Sequence, residues 1–441
     1  MIFYNLTSLK ILDISGNDFR ELPVKIFGNL KTLKYLSLSN SKMKHIPEKI
    51  FDSLTSLENL YIQNHALEEL PEDIFSNLTS LRSLHLTGAK GFQNDLNFLP
   101  EKVFSNLKSL ENLYLYANTF YELPKKLFEK LESLILLDLS YMSYKLKPLP
   151  EEIFSNLTSL EKLDLSKNWL EEFPEKIFEN LQSLKHLDLS NCGHKYIPKR
   201  LLWRLQSLES LDMSMSTKLK NLPLFNNLIS LRLLDISFIT IGRLSEDIFK
   251  NLRSLEIINA SKCAIVGLLP SNIFRDSALL KTVKMNSNSI QSVPRQILQN
   301  LRNLRHLDLS DNLITDTSFL HLHFPPKLEM LSLNNNRLRC DCETIDLLRS
   351  IANKTNKMFE NTVAEGQCHN TKQDFSADMR YGDCGCVSNP CITGSCSFTL
   401  NTKYFNCSCP DAYVGRRCES LKTNIGIYHS FIIFIDFLYL I

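Results

Sequence analysis

Residues 160–168 form the phrase Leu-Glu-Lys-Leu-Asp-Leu-Ser-Lys-Asn, which returns fourteen times as LxxLxLxxN with some replacements. Nine of the thirteen intervals between copies are 24 residues long, and the others are 29, 26, 23 and 25. The copies begin at Leu9, Leu33, Leu57, Leu81, Leu110, Leu134, Leu160, Leu184, Leu208, Leu231, Leu255, Leu280, Leu304 and Leu328. Such a unit is too small to bury its own apolar side, whereas stacked neighbours bury a continuous core. The period therefore predicts a solenoid over residues 1–338.

Each unit divides into a predicted strand and a return arm. The alternating xLxL core, as in residues 163–165, indicates a short strand, and residues 149–160 are typical of the arm. One phenylalanine recurs in nearly every arm and predicts a stacked spine in the core. It occurs as Phe3, Phe27, Phe51, Phe75, Phe104, Phe128, Phe154, Phe178, Phe225, Phe249 and Phe274, with Leu202 and Leu298 taking its place in two repeats.

The phrase and its period resemble the leucine-rich repeats of extracellular proteins, those of Toll-like receptor ectodomains in particular. The resemblance implies an α/β fold, a leucine-rich repeat solenoid (horseshoe) with a parallel concave sheet that binds other proteins. Two repeats are longer and carry residues 88–97 and 141–148 as insertions. These insertions are either loops on the binding side or neutral variation.

The twelve cysteines are unevenly distributed. Ten lie between Cys340 and Cys418, and only Cys192 and Cys263 lie in the repeats. Both repeat cysteines occupy the Asn position of the phrase, where the side chain turns inward, so we expect buried structural thiols. The dense terminal cluster indicates an oxidising compartment.

Residues 339–384 interrupt the period and resemble the cysteine-rich C-terminal cap of extracellular leucine-rich repeat proteins. Four cysteines allow three pairings on sequence alone. The resemblance implies the pairs Cys340–Cys368 and Cys342–Cys384. Such a cap would cover the apolar core of the last repeat.

Residues 386–418 resemble an EGF-like module, chiefly through the phrase CSCPDAYVGRRC at residues 407–418. A module of this size has a minimal core and depends on disulfides. The resemblance implies the pairs Cys386–Cys396, Cys391–Cys407 and Cys409–Cys418. The acidic phrase of calcium-binding members is missing, so we expect no calcium. The phrase CVSNPC matches the family's O-glucosylation pattern and makes Ser388 a candidate site.

Five Asn-x-Ser/Thr phrases are candidate N-glycosylation sites. They begin at Asn5, Asn77, Asn156, Asn353 and Asn406. The first three share one repeat position ahead of the strand, which predicts that their glycans lie away from the concave face.

Both ends of the chain depart from the repeat pattern. Phe3 and Leu6 already belong to a repeat, with no secretory signal or polar cap before them, so we expect either an amino-terminal truncation or a gene model that lacks its first exon. Residues 425–441 form a mostly apolar run that contains His429 and Asp436. This run is near the short limit for a spanning helix and is either a membrane anchor or a tail from a misread exon.

The sequence contains no phrase typical of a catalytic centre: neither a zinc-protease helix, nor a nucleophile elbow, nor a phosphate-binding glycine loop. His85, His186 and His306 lie in different repeats, which disfavours a metal site. A net charge of +2 gives no reason to expect nucleic acid. We expect no enzyme activity, no cofactor and no metal.

Two sets of outward strand residues mark the predicted concave face. The candidate protein-binding residues of its early half are Tyr35, Tyr61, His85, Tyr114 and Tyr116. Exposed tyrosines are good interface anchors, although they are also favoured in strands. The later half has a column of carboxylates at Asp138, Asp164, Asp188, Asp212, Asp235 and Asp308. This column either binds a basic partner or cation, or is a set of solvated strand positions.

The order of repeats, cysteine cap, EGF-like module and hydrophobic segment resembles vasorin-like and Slit-like proteins. It implies a receptor or adhesion ectodomain, at the cell surface or secreted, that binds an extracellular protein. One alternative is a soluble guidance or matrix ligand of Slit-like type. Another is the ectodomain of a signalling receptor with a TIR-like or kinase part. The oligomeric state stays open.

We predict that the chain, secreted behind a signal peptide, is glycosylated and has no reactive thiol between Cys340 and Cys418. Cysteines at this density form disulfides in an oxidising compartment. Thiol labelling of the native secreted protein, with the label located by mass spectrometry, measures this. Labelling at several of these ten cysteines contradicts the prediction.

Overall fold

A computed structural model describes residues 2–338, except 64–66, 89–95, 143–145, 317–318 and 320–324, together with the backbone of four short strands between residues 395 and 421. Several predictions concern parts of the chain outside this description. These are the cap at 339–384, the side chains of the ten clustered cysteines, the candidate sites Asn353, Ser388 and Asn406, and residues 425–441. They therefore stay predictions.

The chain forms two compact units, Met1–Ile241 with Ile248–Leu255, and Gly242–Asp247 with Glu256–Ile441. The sheet of the first unit has parallel strands in chain order. These strands are β1 (Ile11–Asp13), β2 (Tyr35–Ser37), β3 (Asn59–Gln63), β4 (Ser83–Thr87), β5 (Asn112–Tyr114), β6 (Leu136–Asp138), β7 (Lys162–Asp164), β8 (His186–Asp188), β9 (Ser210–Asp212) and β10 (Leu233–Asp235). Equivalent residues of successive repeats face each other, as Leu163 and Leu187 do between β7 and β8.

The second unit continues the same pattern. Its parallel strands are β11 (Ile257–Asn259), β13 (Thr282–Lys284), β15 (His306–Asp308) and β16 (Met330–Ser332). A separate parallel pair joins β12 (Val266–Leu268) to β14 (Ser289–Ser292). Antiparallel pairs join β17 (Ser395–Thr399) to β18 (Tyr404–Ser408) and β19 (Tyr413–Val414) to β20 (Ser420–Leu421). The predicted parallel-strand solenoid is confirmed.

The strands form where buried leucines alternate with outward residues. In β3, Leu60 and Ile62 are fully buried, whereas Asn59, Tyr61 and Gln63 are partly exposed. This period of two is the pattern of a strand with one buried face. Most strands begin one residue before the buried leucine and end one residue after it, so they are shorter than the predicted xLxL core suggests.

The predicted phenylalanine spine is present in the core. Rings of neighbouring repeats stack with centroids 6.2 to 6.4 Å apart and interplanar angles of 8 to 16°. The stack runs through Phe3, Phe27, Phe51, Phe75, Phe104, Phe128, Phe154 and Phe178. The return arms that carry these rings consist of consecutive turns, such as the one closed by Leu157 N–H donating to Phe154 O at 3.1 Å.

The Asn position of the phrase fixes the turn after each strand. Asn168 Nδ2 donates to the carbonyls of Leu139 and Leu165 at 2.7 and 2.8 Å, and its Oδ1 accepts from Met142 N–H at 2.7 Å. Buried backbone groups of two coils are thereby satisfied. Cys192 donates to Leu165 O at 3.3 Å from the same position, and burial raises the pKa of its thiol to about 12. The prediction of buried thiols at both repeat cysteines is confirmed.

His194 replaces a core leucine and is fully buried. It occupies the repeat position that Leu170 fills in the preceding repeat, and the Phe173 ring meets it edge-on at 5.2 Å. Neither of its ring nitrogens has a hydrogen-bond partner within the described part of the chain. Burial lowers the pKa of His194 to about 4, so the ring stays neutral at pH 7.

We predict that His194→Leu raises the free energy of unfolding at pH 7 by about 1 to 3 kcal/mol, because it removes two unsatisfied buried nitrogens. Since the folded pKa lies below the ordinary 6.5, the unfolded state binds more protons between those values. The parent should therefore lose stability relative to the variant as pH falls from 6.5 towards 4. Thermal unfolding across this range measures the difference.

The matched control is Leu170→His, which introduces the same defect one repeat earlier and should destabilise by a similar amount. A His194→Leu variant that melts below the parent at neutral pH would show that the histidine has a bonding role.

Candidate protein-binding face

The outward side chains of the first unit's sheet form a surface that we call the strand face. Its central column contains the residue that follows the first buried leucine of each strand. These residues are Asp13, Ser37, Tyr61, His85, Tyr114, Asp138, Asp164, Asp188, Asp212 and Asp235. Aromatic and acidic residues therefore occupy adjoining blocks of one column.

Three aromatic side chains of this column stack face to face. The His85 ring lies 4.2 Å from the Tyr61 ring and 4.1 Å from the Tyr114 ring, with interplanar angles of 16° and 13°. The strand register produces this contact, since it sets these residues opposite one another on β3, β4 and β5. Tyr35 joins from the neighbouring column, with its ring tilted by 36° at 5.1 Å from Tyr61. We call these four residues the aromatic stack.

Hydrogen bonds hold His85 in one orientation. Its Nδ1 is 3.3 Å from the Gln63 amide nitrogen, and its Nε2 is 3.1 Å from Ser83 Oγ. Because an amide nitrogen only donates, Nδ1 accepts and Nε2 carries the hydrogen. Burial lowers the pKa of His85 to about 4, so the ring is neutral at physiological pH.

Tyr35 and Tyr114 keep their protons. Burial raises the pKa of Tyr114, with a further contribution from the negative charge of Asp138, and burial likewise raises the pKa of Tyr35. The stack is thus an uncharged, partly exposed surface whose rings hold one another in place. Such a surface loses little conformational entropy when a partner binds it.

Four of the five predicted binding residues come together in this stack. Tyr116 does not join it: β5 ends at Tyr114, and Tyr116 lies half-buried in the following turn, where its carbonyl accepts from Gly88 N–H at 3.0 Å. Gln63 and Ser83 were not predicted from the sequence. Both are outward neighbours of predicted residues on β3 and β4, so a search of every outward position would have found them.

The aspartates continue the column directly from the aromatic stack. Tyr114 lies opposite Asp138 between β5 and β6. Each carboxylate accepts from the N–H of the serine two residues later at 2.8 to 2.9 Å. We call this set the aspartate ladder: Asp138, Asp164, Asp188, Asp212 and Asp235. The sixth predicted aspartate, Asp308, lies in the second unit and makes the same bond to Ser310 N–H at 3.0 Å.

The ladder concentrates negative charge in a partly desolvated row. Burial raises the pKa of Asp188 to about 6, and repulsion from Asp164 and Asp212 adds to the effect. Burial also raises the pKa of Asp212, and Asp235 and Asp164 contribute in the same direction. The strand face therefore offers apolar rings beside a negative potential, which attracts a cationic partner.

The candidate glycosylation sites with described side chains leave this face clear. Asn5, Asn77 and Asn156 are exposed in the turns of the return arms, and none lies on a strand.

Within the described residues, no group of three or more His, Cys, Asp or Glu side chains is arranged to hold a metal ion. No helix in that part of the chain combines the length and the apolar character needed to cross a membrane.

Comparisons with known proteins agree with this architecture. The family described as "Leucine-rich repeat region" matches residues 2–141. The family described as "Leucine rich repeat" matches residues 142–193, 158–219 and 278–338. The chain has the leucine-rich repeat fold, and its repeats are similar to those of Toll-like receptor ectodomains.

Two solved structures show the likeness. A leucine-rich repeat protein of Leptospira interrogans is 28% identical with a TM-score of 0.66, over 79% of this chain and 89% of that one. The receptor chain of the TLR13–ssRNA13 complex is 25% identical with a TM-score of 0.67, over 78% of this chain and 49% of that one.

Among curated proteins, Chaoptin of Drosophila melanogaster is 24% identical over 184 residues, or 34% of this chain and 14% of Chaoptin. A hepatocyte growth factor activator serine protease of Canis lupus familiaris is 29% identical over 85 residues, or 15% of this chain and 13% of that protein. The chain thus spans a small part of the curated relatives that it matches.

We predict that Asp188→Asn raises the free energy of unfolding at neutral pH by about 1 kcal/mol, because it removes a poorly solvated charge from a like-charged row. The amide oxygen can keep the bond to Ser190 N–H, as Asn259 does when it accepts from Ser261 N–H at 3.2 Å. Since the folded pKa of about 6 exceeds the ordinary 3.8, the cost of the charge appears as pH rises between these values.

The gain should therefore vanish near pH 4, and thermal unfolding from pH 4 to pH 8 measures it. Asp13→Asn is the control, since hydrogen bonds from Ser15 lower the pKa of the exposed Asp13 and its charge is favourable in the folded state. An Asp188→Asn variant that is less stable than the parent at neutral pH contradicts this account of the ladder.

Proposed function

We propose that this chain is an extracellular binding protein, a receptor or adhesion ectodomain, that holds a protein ligand on the strand face. The observation that carries the proposal is the in-register junction of the aromatic stack with the aspartate ladder at Tyr114 and Asp138. The ligand segment that fits this junction is basic and partly apolar.

Each half of the junction has its own part in binding. The rings of Tyr61 and Tyr114 offer large, rigid contact areas, and aromatic residues of this kind dominate interface energetics. The ladder attracts lysine or arginine from a distance and fixes the register of the ligand. A ligand with both kinds of residue would cover rings and carboxylates together.

The same electrostatics argue against RNA on this face. The TLR13 structure is a complex with ssRNA13. A row of five carboxylates would repel the phosphates of such a ligand. We therefore propose a protein ligand, and we assign the chain no enzymatic reaction.

We place the protein at the cell surface or in the secreted fraction, with a disulfide-bonded cap at 339–384 and an EGF-like module at 386–418. The ten clustered cysteines support this location. The pairing of β17 with β18, which sets residue 396 opposite residue 407, supports a hairpin between the third and fourth cysteines of the module. Attachment to a membrane would run through residues 425–441. The alternative functions are a Slit-like soluble ligand and a signalling receptor with a cytoplasmic part.

We predict that the parent protein enriches peptides rich in Lys or Arg with apolar neighbours from a displayed library of random peptides. Tyr61→Ala should weaken binding of the enriched peptides by roughly 2 kcal/mol if the ring is a hot spot. The triple variant Tyr35→Ala, Tyr61→Ala, Tyr114→Ala, which removes every tyrosine of the aromatic stack, should abolish it. Fold is checked by circular dichroism and melting temperature, and Tyr61→Phe should retain most of the affinity.

The matched control is Tyr121→Ala, which removes a 52% exposed tyrosine that lies outside the strands. It should leave peptide affinity unchanged. A folded triple variant that binds as well as the parent places the site on another surface. Enrichment of acidic peptides by the parent would exclude the aspartate ladder from the binding face.

A further inference from the structure

A second surface of the first unit has the opposite charge. Residues 189–234 contain seven Lys and Arg but only two acidic residues, whereas the whole chain has 50 basic and 48 acidic residues. Of the two acids, Asp212 lies on the strand face and Glu209 directly precedes β9. The turns and arms of these repeats are therefore basic, a feature that the net charge of +2 conceals.

Exposed aromatic rings lie among these basic side chains. Lys218 Nζ is 3.7 Å from the centroid of the Trp169 ring, and Lys220 Nζ is 5.9 Å from that of Tyr196. Backbone pairing brings the repeats together, since Lys220 N–H donates to the carbonyl of Lys195 at 2.9 Å. We call these five residues the lysine–aromatic patch. Trp169 is 46% and Tyr196 61% exposed, so the patch faces solvent.

Gly193 makes room for this arrangement. A Cβ atom at this position would lie 3.0 Å from Trp169 Cδ2, closer than carbon atoms approach without displacement. The indole therefore crosses the neighbouring repeat at its glycine and reaches the lysine of the repeat beyond. Cation–π contacts of this kind fix the ammonium of Lys218 above the ring and hold it on the surface.

No neighbouring carboxylate of the described residues neutralises the lysines of the patch. Several lysines elsewhere in the first unit pair with a carboxylate one repeat away. Such pairs are Lys34–Glu58, Lys44–Glu68, Lys147–Glu122 and Lys185–Glu161. Within the described chain, Lys195, Lys218 and Lys220 form no ion pair. Glu171 and Glu172 follow Trp169 closely in the sequence but do not pair with these lysines.

We propose that the lysine–aromatic patch binds a sulfated polysaccharide. Three unpaired ammonium groups on adjacent turns, two of them positioned by aromatic rings, match a ligand with repeated negative charges. Sulfate groups need only point charges such as lysine supplies. The inference is independent of the strand-face ligand and rests on the proposed function only for its extracellular location.

A nucleic acid fits the patch less well. Single-stranded nucleic acids stack their bases on bare aromatic faces. At Trp169, Lys218 lies over the ring and Gly193 packs against it, so a base would have to displace a contact that the indole already makes. The lysines already contact the rings that a base would stack on, and RNA serves as the competing ligand in the test.

The test measures binding of the full chain to immobilised heparin at several salt concentrations. The triple variant Lys195→Gln, Lys218→Gln, Lys220→Gln should weaken heparin binding about tenfold or more near physiological salt. Its binding should also depend less steeply on salt concentration, because fewer counterions are released. The control Lys125→Gln, Lys126→Gln, Lys130→Gln removes the same net charge from another return arm and should bind like the parent. Melting curves confirm that both variants fold.

The proposal is overturned by no heparin binding of the parent, by an equal loss in both triple variants, or by tighter binding of a single-stranded RNA than of heparin. Desulfated heparin should not bind.

A fluorescence readout locates the site, since the chain has two tryptophans. Heparin should change the emission of Trp203→Phe, which retains Trp169, and a change that persists in Trp169→Phe would place the ligand elsewhere. The strand-face peptides should bind the lysine variant normally, so failure of this inference is distinguishable from failure of the proposed function.

Discussion

The register between successive repeats is the constraint on which the other features depend. Parallel strands lie about 4.8 Å apart, so a residue at a given repeat position lies beside its counterpart in the next repeat. Buried positions produce the phenylalanine spine, with centroids 6.2 to 6.4 Å apart. Outward positions produce the aromatic stack and the aspartate ladder. When the same residue type occupies one repeat position in successive repeats, its side chains therefore form a continuous surface.

This constraint also forces unfavourable neighbours together. A column of aspartates cannot separate its charges, and the pKa of Asp188 rises to about 6 in consequence of burial and of this repulsion. Serine N–H groups two residues later offset part of that cost by donating to every carboxylate of the ladder. Asn259 shows that the fold accepts a neutral side chain at the equivalent position. The carboxylates are thus not required by the fold, which is the reason to interpret them as functional.

The features predicted best from the sequence are those that the period dictates. The strands, the spine, the inward cysteines and the clustering of Tyr61, His85 and Tyr114 are all consequences of position within a 24-residue unit. The lysine–aromatic patch was not predicted, because Trp169, Tyr196 and Lys218 occupy different offsets in their repeats and meet only through the turns. The burial of His194 was missed for a related reason, since one polar residue at a leucine position gives no periodic signal.

Opposite charges on the same repeats are the last consequence of this geometry. Asp164, Asp188 and Asp212 lie on β7 to β9, whereas Lys195, Lys218 and Lys220 lie in the turns that come after β8 and β9. Each strand changes direction into its turn within a few residues, so acids and bases close in sequence face different directions and do not neutralise each other. The two ligands that we propose, a basic segment on the strand face and an anionic polymer on the turns, would therefore occupy separate surfaces. A near-neutral total can therefore include surfaces of opposite charge, and it says little about partners when the fold separates the charges by position in the repeat.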